Sequence, residues 1–480
     1  MSAPTVLRAG IMSGVAAGAI TLAAPSTAQK IMVDGAPQTV WSWSASTKCD
    51  GGNDFPDVPA RPFLVGSKVL WFASNSGRYA SVGTTPVPPP GVVPAVDILA
   101  NLQRGVEPGS PPSCVQWVAA TPRQATAPYY PGSVPGTYNT ALWMASPFND
   151  GTTVHALMHN EFHGDWTGSS TWCPTQTQTI YLPCSYWNIV TANSSDGAMT
   201  FRLNQWPPGT DINVPAIALA NPYVVPPANA PPTAGPQGMT AQSNILQSGN
   251  YYYVLALQLQ APNPPNTSLD PSLNGTCIWR APVSTGPLVW TGWDGSAWTI
   301  AAPTGYPATS QPSTSPPLCK PVLPAIFRSS WSFALSAGSG VVIMGQDTLT
   351  NLRTNNVTTD GCPYAPGASA ATADAAFVYI VASGLPGIDD QPSWSGPLST
   401  NTEYCLLQIN SMYNKDSSLT RYAYPSLLDP EHEPGDLNFQ SIRFSPYLYF
   451  TQMNPVEEPA NQQQGWNRDL MRVRLKVPRS

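Results

Sequence analysis

Apolar and polar residues alternate with a period of two in many short stretches of the sequence, which predicts β-strands. These stretches end at clusters of Gly, Pro, Asn and Asp, as strands joined by turns do. No stretch has the 3.6-residue apolar stripe of an amphipathic helix, so we predict an all-β protein. Five recurring units begin near Asp57, Thr140, Asn244, Ser330 and Tyr422.

The spacing of these units suggests a repeated sheet. The units follow one another at intervals of about 80 to 100 residues, and radial repetition of four-stranded sheets forms a β-propeller. A blade needs only about 40 to 50 residues, so the excess would lie in loops. We therefore predict a five-bladed β-propeller with Pro-rich, disulfide-tied loop insertions. The alternative is a pair of β-sandwiches divided within residues 207–240.

The first 28 residues have the pattern of a secretory signal. Arg8 supplies the positive end, residues 11–24 the apolar run, and small residues precede a cleavage site near Ala28. The sequence thus predicts a signal peptide at 1–28 and a single propeller domain at 29–480. No other apolar run is long enough to span a bilayer, so we expect a secreted or periplasmic protein.

Composition narrows the ligand class. Only 10% of residues are charged and the net charge is −6, which favours neither nucleic acid nor an anionic membrane as partner. The 16 Trp and 19 Tyr residues could stack on sugar faces. They could equally fill the core. We expect a carbohydrate substrate and a monomer.

The cysteines favour disulfides. Their number is eight, which is even, and none occurs in a CxxC spacing. We predict four disulfides, one of them between Cys173 and Cys184, and leave the other pairings open. The cysteines are Cys49, Cys114, Cys173, Cys184, Cys277, Cys319, Cys362 and Cys405.

Residues 154–164 are the best candidate for chemistry, because they contain three of the four histidines and one glutamate. As a helix, the stretch would present its histidines at i, i+4 and i+8, which is metal-ligand spacing. The Asn149-Asp150-Gly151 turn before it favours a strand. The residues that share one face of such a strand are His155, Leu157, His159, Glu161 and His163.

A catalytic metal is not predicted here. The order His159-Asn160-Glu161-Phe162-His163 is not the HExxH motif. On a strand, His155 and His163 would lie roughly 26 Å apart, too far to share an ion. We expect packing for His155, and hydrogen bonding or sugar contacts for His159 and His163. No cofactor is expected, although a loop could hold structural calcium through Glu431, Glu433 and Asp436.

Four motifs resemble a known family. They are Asp57-Val58-Pro59-Ala60-Arg61-Pro62-Phe63, His159-Asn160-Glu161-Phe162-His163-Gly164, Tyr424-Pro425-Ser426-Leu427-Leu428-Asp429 and Tyr447-Leu448-Tyr449-Phe450-Thr451. Through them the chain resembles the secreted bacterial five-bladed β-propeller glycoside hydrolases, a group that includes the family 43 arabinanases and xylosidases. That resemblance implies an Asp general base in the first blade, a Glu general acid in a later blade, and a second Asp that tunes them.

The resemblance implies a glycoside hydrolase that cleaves a cell-wall polysaccharide, for example one containing arabinose or xylose. Asp57 matches the base and Glu161 the acid. Protonated imidazoles beside Glu161 would lower its pKa, whereas an acid needs a raised pKa. The expected substrate-binding residues are His159, His163, Arg61, Asn160, Tyr424 and Asp429. The alternative is a non-catalytic propeller that binds glycans or another surface partner.

Overall fold

The structure is a computed structural model. It describes residues 30–44, 56–66, 68–74, 92–93, 135–138, 142–167, 170–174, 182–198, 201–204, 215–217, 225, 228, 236–259, 275–284, 288–301, 319–324, 332–336, 341–354, 356–382, 403–414, 416, 418–430, 435–455 and 467–477. The predicted signal peptide, Cys49, Cys114 and the loop residues Glu431 and Glu433 lie outside these ranges.

Strands make up most of the described chain, as the alternating pattern predicts. The strands are β1 (Met32–Val33), β2 (Gln38–Trp41), β3 (Pro56–Val65), β4 (Lys68–Ser74), β5 (Val92–Val93), β6 (Leu142–Asn149), β7 (Val154–His163), β8 (Ser185–Ser194), β9 (Phe201–Leu203), β10 (Pro215–Ile217), β11 (Gln237–Thr240), β12 (Leu246–Ser248), β13 (Tyr251–Leu259), β14 (Gly275–Pro282), β15 (Thr291–Trp293), β16 (Trp298–Ala301), β17 (Leu323–Pro324), β18 (Ser332–Ser336), β19 (Val341–Thr348), β20 (Ala375–Ala382), β21 (Glu403–Ile409), β22 (Arg421–Leu428), β23 (Ser441–Ile442), β24 (Tyr447–Met453) and β25 (Arg468–Lys476).

Helix is confined to short pieces in the described residues. The α-helix α1 spans Leu349–Thr354, and single 3₁₀ turns span Pro135–Thr137, Gly164–Thr167 and Leu182–Cys184. The all-β prediction is confirmed. The physical reason is that few apolar residues recur at helical spacing, whereas most strands bury at least one alternating row.

One large sheet contains the histidine strand. Its order is β16-β15-β14-β13-β11-β8-β7-β6, with β5, β9, β10, β12 and β17 at its margins. Strands β6, β7 and β8 pair antiparallel, and β11 then pairs parallel with β8 through Gln237 and Gly238. The sheet therefore runs across residues 207–240, where two sandwiches would have been divided.

The other sheets are smaller. One has the order β21-β20-β19-β18-β23, a second joins β22, β24, β25, β1 and β2, and a third is the pair β3-β4. In the second sheet, strands from the two ends of the described chain pair, with Met32 opposite Lys476 and Thr39 opposite Met471. The sheets are open, and the second and third units share one continuous sheet. The residues that the structure describes do not form five separate blades.

Arg61 connects three units near their first strands. Its guanidinium donates to the Ala145 carbonyl, to Ser146 Oγ at 2.7 Å and to the Gln242 carbonyl at 2.7 Å. Ser146 in turn donates to the Ser243 carbonyl at 2.6 Å. Arg61 is 4% exposed, and burial lowers its pKa from 12.5 to about 9. This residue thus links β3, β6 and the segment that follows β11.

The two faces of β7 pack into different cores. Val154, Ala156, Met158 and Phe162 pack in a cluster that also contains Phe63 of β3. Leu157 points the other way, into a cluster with Tyr252 and Trp279 of the third unit. This alternation confirms the strand interpretation of residues 154–163. The histidines share the Leu157 face, between the second and third units.

Disulfides close three loops of the described chain. They join Cys173 to Cys184, Cys277 to Cys319, and Cys362 to Cys405. The predicted Cys173–Cys184 bond is confirmed, while the fourth predicted bond would involve cysteines outside the described residues. Within the described part, no helix has the length and hydropathy needed to cross a membrane.

Candidate functional site

Cross-strand register builds the candidate site on one face of β7 and β8. Ser185 lies opposite His163, Trp187 opposite Glu161, and Ile189 opposite His159. Directly opposite residues on antiparallel strands project to the same face of the sheet. The histidine and glutamate side chains therefore share that face with a hydroxyl and an indole.

Glu161 bridges two imidazoles. Its Oε1 lies 2.8 Å from His159 Nε2, and its Oε2 lies 2.8 Å from His163 Nε2. The Glu161 side chain is 18% exposed, His159 is 13% exposed and His163 only 1%. Solvent and ligands therefore reach this group of three from the side of Glu161 and His159.

The outer nitrogen of each imidazole faces a hydroxyl. His163 Nδ1 lies 2.9 Å from Ser185 Oγ and 4.0 Å from Asp165 Oδ1, and His159 Nδ1 lies 3.5 Å from Thr240 Oγ1. Ser185 and Asp165 are buried. The strand β7 supplies the central three residues, while β8 and β11 supply the hydroxyls.

This environment favours the ionised form of Glu161. Burial acts to raise its pKa, but the hydrogen bonds and charges of His159 and His163 outweigh burial and bring the pKa from 4.5 down to about 2. A carboxylate that accepts two N–H bonds is stabilised in its charged form even when the donors are neutral. Glu161 is therefore a fixed, partly exposed anion near neutral pH.

Trp187 forms one wall beside Glu161. Its ring is half-buried and meets the His159 ring edge to face, with centroids 5.4 Å apart. Gly238 packs on the Trp187 backbone so closely that a Cβ there would lie 1.9 Å from the Trp187 carbonyl oxygen. Gly238 also has φ of +117°, a conformation that glycine adopts without strain. Trp187 is thus fixed by the neighbouring unit.

Asp57 lies on β3, and its side chain is outside the described part of the structure. Its position along the strand can still be compared with that of Glu161. Arg61 contacts Ser146, and the Leu64 carbonyl accepts from Asn149 Nδ2, so β3 and β6 run in the same direction. Asp57 and Leu142 therefore stand at the same end of their strands.

Leu142 pairs with Asn160, which places the backbone of Asp57 at the end of the fold that carries Glu161. The backbones of Asp57 and Glu161 therefore lie at the same end of the fold. The separation of their carboxyl groups lies outside what is described.

The other predicted site residues are more dispersed. Asn160 is buried on the opposite face of β7, in register with Asn188 of β8. Tyr424 is half-buried at a bulge of β22, with φ of +56°, in a different sheet. Arg61 contacts backbone carbonyls and Ser146, as described above.

Asp429 is buried and accepts from the Arg443 backbone N–H. The adjoining loop packs on the far end of β7: Asn438 bonds to Asn149, and Leu437 accepts from the Leu64 N–H. Asn149 pairs with Val154, seven residues before Glu161. The described hydrogen bond of Asp429 is to Arg443, and no described contact joins it to Glu161.

Three residues at the site were missed by sequence reasoning, namely Ser185, Trp187 and Thr240. Period-two alternation predicts a strand at 186–191, but it does not give the register of that strand against β7. Ser185 and Trp187 belong to a row of polar and aromatic residues on β8. That row points to the site only when the register of β8 against β7 is known. Thr240 has no local signal.

The described residues do not contain a cluster of metal-ligating side chains. No group of three or more His, Cys, Asp or Glu side chains there is arranged to hold an ion. In the predicted calcium loop, Asp436 accepts from the Asn438 N–H, the Ser441 N–H and the Ser441 hydroxyl. Its described hydrogen bonds are those of a turn.

Comparison with known proteins gives weak structural similarities. No protein-family model matches the sequence, and no curated protein matches it significantly. A catalytic domain of a Coprinopsis cinerea GH62 α-L-arabinofuranosidase matches 74% of this chain and 93% of its own, at 10% identity and a TM-score of 0.24. An α-L-arabinofuranosidase from Lactobacillus brevis matches 75% of this chain and 77% of its own, at 9% identity and a TM-score of 0.30.

A Podospora anserina α-L-arabinofuranosidase gives similar values, with 10% identity and a TM-score of 0.23 over 72% of this chain and 93% of its own. TM-scores below 0.5 do not establish a common fold. The function is therefore inferred from the chemistry of the site.

Proposed function

We propose that this protein is a glycoside hydrolase in which Glu161 supplies the ionised carboxylate. The observation that carries the proposal is a partly exposed carboxylate held by two imidazole N–H groups at 2.8 Å beside a half-buried indole. Glycoside cleavage needs an anion at the anomeric carbon, as nucleophile or as base for water, and a proton donor at the leaving oxygen.

Glu161 suits the first of these roles. With a pKa lowered to about 2, it stays ionised across the range in which such enzymes work, and it cannot deliver a proton there. The proton donor is then Asp57, at the same end of the strands. This assignment exchanges the roles that the sequence resemblance implies for the two residues.

The surroundings of Glu161 suit a neutral sugar. The face of an indole packs on the C–H groups of a pyranose or furanose ring, and His159 offers a partly exposed polar edge. The low charge content of the chain agrees with a neutral polysaccharide. We propose cell-wall polysaccharides that contain arabinose or xylose as the first substrates to test.

We also propose that the five units are blades around a common axis. Arg61 ties the first strands of two units to the segment that follows β11, and the pairing of β1 and β2 with β25 joins the two ends of the described chain. Secretion is part of the same proposal. Disulfides persist mainly in oxidising compartments, and three are present in the described residues.

A second candidate function is glycan binding without hydrolysis. Both oxygens of Glu161 already accept imidazole N–H bonds, and such a rigid acceptor can orient a sugar hydroxyl without reacting. The two functions differ in whether bound sugar is turned over.

The test is a hydrolysis screen with defined variants. Wild-type protein, Glu161→Gln and Asp57→Asn are assayed on arabinose- and xylose-containing polysaccharides and on aryl glycosides with good and poor leaving groups. Glu161→Gln should lose at least about a thousandfold on every substrate, because the missing anion is needed whatever the leaving group. Asp57→Asn should lose much less on good leaving groups, which need no proton.

A control is Asp34→Asn, which also replaces a carboxylate by its amide, on an exposed residue beside Arg474 in another sheet. It should retain wild-type turnover. Azide, a small anion, should restore turnover to Glu161→Ala on aryl glycosides with good leaving groups. Glu161→Gln that spares good leaving groups would show that Glu161 is the acid after all. Sugar binding by calorimetry with no turnover by any form would replace hydrolysis with the binding function.

A further inference from the structure

Both imidazoles beside Glu161 have their second nitrogen next to a hydroxyl from another strand. Ser185 on β8 lies 2.9 Å from His163 Nδ1, and Thr240 on β11 lies 3.5 Å from His159 Nδ1. Ser185 is fully buried and Thr240 is 7% exposed. Neither hydroxyl reaches a substrate, so each can act only through its imidazole.

The chemistry of a neutral imidazole connects these contacts. It carries one N–H, and an ionised carboxylate only accepts hydrogen bonds, so the proton must sit on Nε2, which faces Glu161. Nδ1 is then an acceptor and needs a donor. Serine and threonine hydroxyls donate, and they rotate freely to do so.

We propose that Ser185 and Thr240 are positioning residues, whose hydroxyls fix both imidazoles in the tautomer that directs Nε2–H to Glu161. The catalytic role of these residues rests on the proposed function, whereas the tautomers rest only on the hydrogen bonds described above. The second partner of a histidine commonly sets which nitrogen is protonated. Ser185 should have the larger effect, because its contact is shorter and fully buried.

Asp165 is the competing group. Among the described side chains packed against Glu161, the titratable ones are His159 and His163 on β7 and Asp165 in the following 3₁₀ turn. The facing residues on β8 and β11, Ser185, Trp187 and Thr240, do not titrate. An ionised Asp165 would favour a proton on His163 Nδ1, but at 4.0 Å it is farther from that nitrogen than Ser185 is.

Nitrogen NMR of ¹⁵N-histidine protein tests the tautomers directly. In the wild type, His159 and His163 should both show a protonated Nε2 and an unprotonated Nδ1. Ser185→Ala should move the His163 proton partly to Nδ1, toward Asp165, and leave His159 unchanged. Thr240→Val, which keeps the shape but removes the hydroxyl, should affect only His159, and Thr240→Ser should restore it.

The matched control is Ser194→Ala on the same strand, because its hydroxyl bonds to Asp196 and the Ala198 N–H instead. It should leave both histidines unchanged. A protonated Nδ1 on wild-type His163, or an unchanged His163 spectrum in Ser185→Ala, would overturn the proposal.

A carbon-detected titration of the Glu161 carboxyl gives the functional consequence. In Ser185→Ala the midpoint should rise by about one pH unit, a tenfold gain in proton affinity, since one N–H donor is then only partly present. The control Ser194→Ala should titrate as the wild type does. Neither measurement needs turnover, so the proposed tautomers are tested independently of glycoside hydrolysis.

Discussion

Replacing Glu161 by Gln should remove a defined part of the acid sensitivity of the fold. The pKa of Glu161 falls from 4.5 to about 2 on folding, which corresponds to roughly 3 kcal/mol at about 1.4 kcal/mol per unit. Because the folded-state pKa is the lower one, this stability is present above pH 4.5. It is lost as the pH falls from 4.5 to about 2.

The glutamine variant cannot make the same two hydrogen bonds. Its amide offers one acceptor oxygen and one NH₂, and the NH₂ would face an imidazole N–H. At pH 7 we expect the variant to be less stable than the wild type by about 3 kcal/mol, in line with the loss of a charge-assisted hydrogen bond. The difference should shrink toward zero as the pH approaches 2.

Urea unfolding at a series of pH values from 7 to 2.5 measures this difference. The control is Asp34→Asn, which removes the same charge from a carboxylate that is 53% exposed and lies 3.8 Å from Arg474. That variant should follow the wild-type curve in shape. If Glu161→Gln lost stability with acid as steeply as the wild type does, the two imidazole bonds would not be what keeps Glu161 ionised.

Three further predictions concern other parts of the fold. Burial raises the pKa of Asp347 from 3.8 to about 7, so the folded form keeps a proton that the unfolded chain loses, and this group should cost roughly 4 kcal/mol of stability as the pH rises from 4 to 7. Burial likewise raises the pKa of Glu403 to about 8, which adds a slope of the same sign. Asp347→Asn should therefore show a shallower slope than the wild type in urea unfolding and be more stable than it at pH 8; equal slopes would contradict this. Gly238→Ala should lower the free energy of unfolding by at least about 3 kcal/mol, because the alanine Cβ would lie 1.9 Å from the Trp187 carbonyl oxygen. A melting temperature equal to that of the wild type would refute this. Replacing Cys173 and Cys184 by Ser should lower the free energy of unfolding by about 3 kcal/mol, because the unfolded chain regains the entropy of a loop closed over a sequence separation of 11 residues. Thermal unfolding measures this loss. An unchanged melting temperature would show that the loop is already constrained in the unfolded chain.

Local patterns in the sequence predicted the strands well. The histidine strand follows from period-two alternation after the Asn149-Asp150-Gly151 turn. The continuity of the large sheet does not follow from any local pattern. It depends on a parallel contact between Gln237 and Tyr186, which are separated by β9, β10 and a Pro-rich stretch.

The shared face of His159, Glu161 and His163 was predictable for the same reason. Their partners on β8 were not, because residues 164–184 connect the two strands and so long a connection does not fix a register as a two-residue turn does. The Cys173–Cys184 bond shortens that connection, and the sequence did suggest this pair. It still leaves several registers open, of which only some place Ser185 beside His163.

The charge of Glu161 could not be settled from the sequence because opposing effects decide it. Burial alone would raise its pKa and make it an acid, whereas each imidazole bond lowers it. In the sequence, the histidines seemed to matter only if protonated. The structure places both Nε2 atoms at 2.8 Å from separate carboxylate oxygens, where a neutral imidazole already donates. The hydrogen bonds and charges of the two histidines together outweigh burial. This is why the ionised role falls to Glu161 and the proton donor must be found elsewhere.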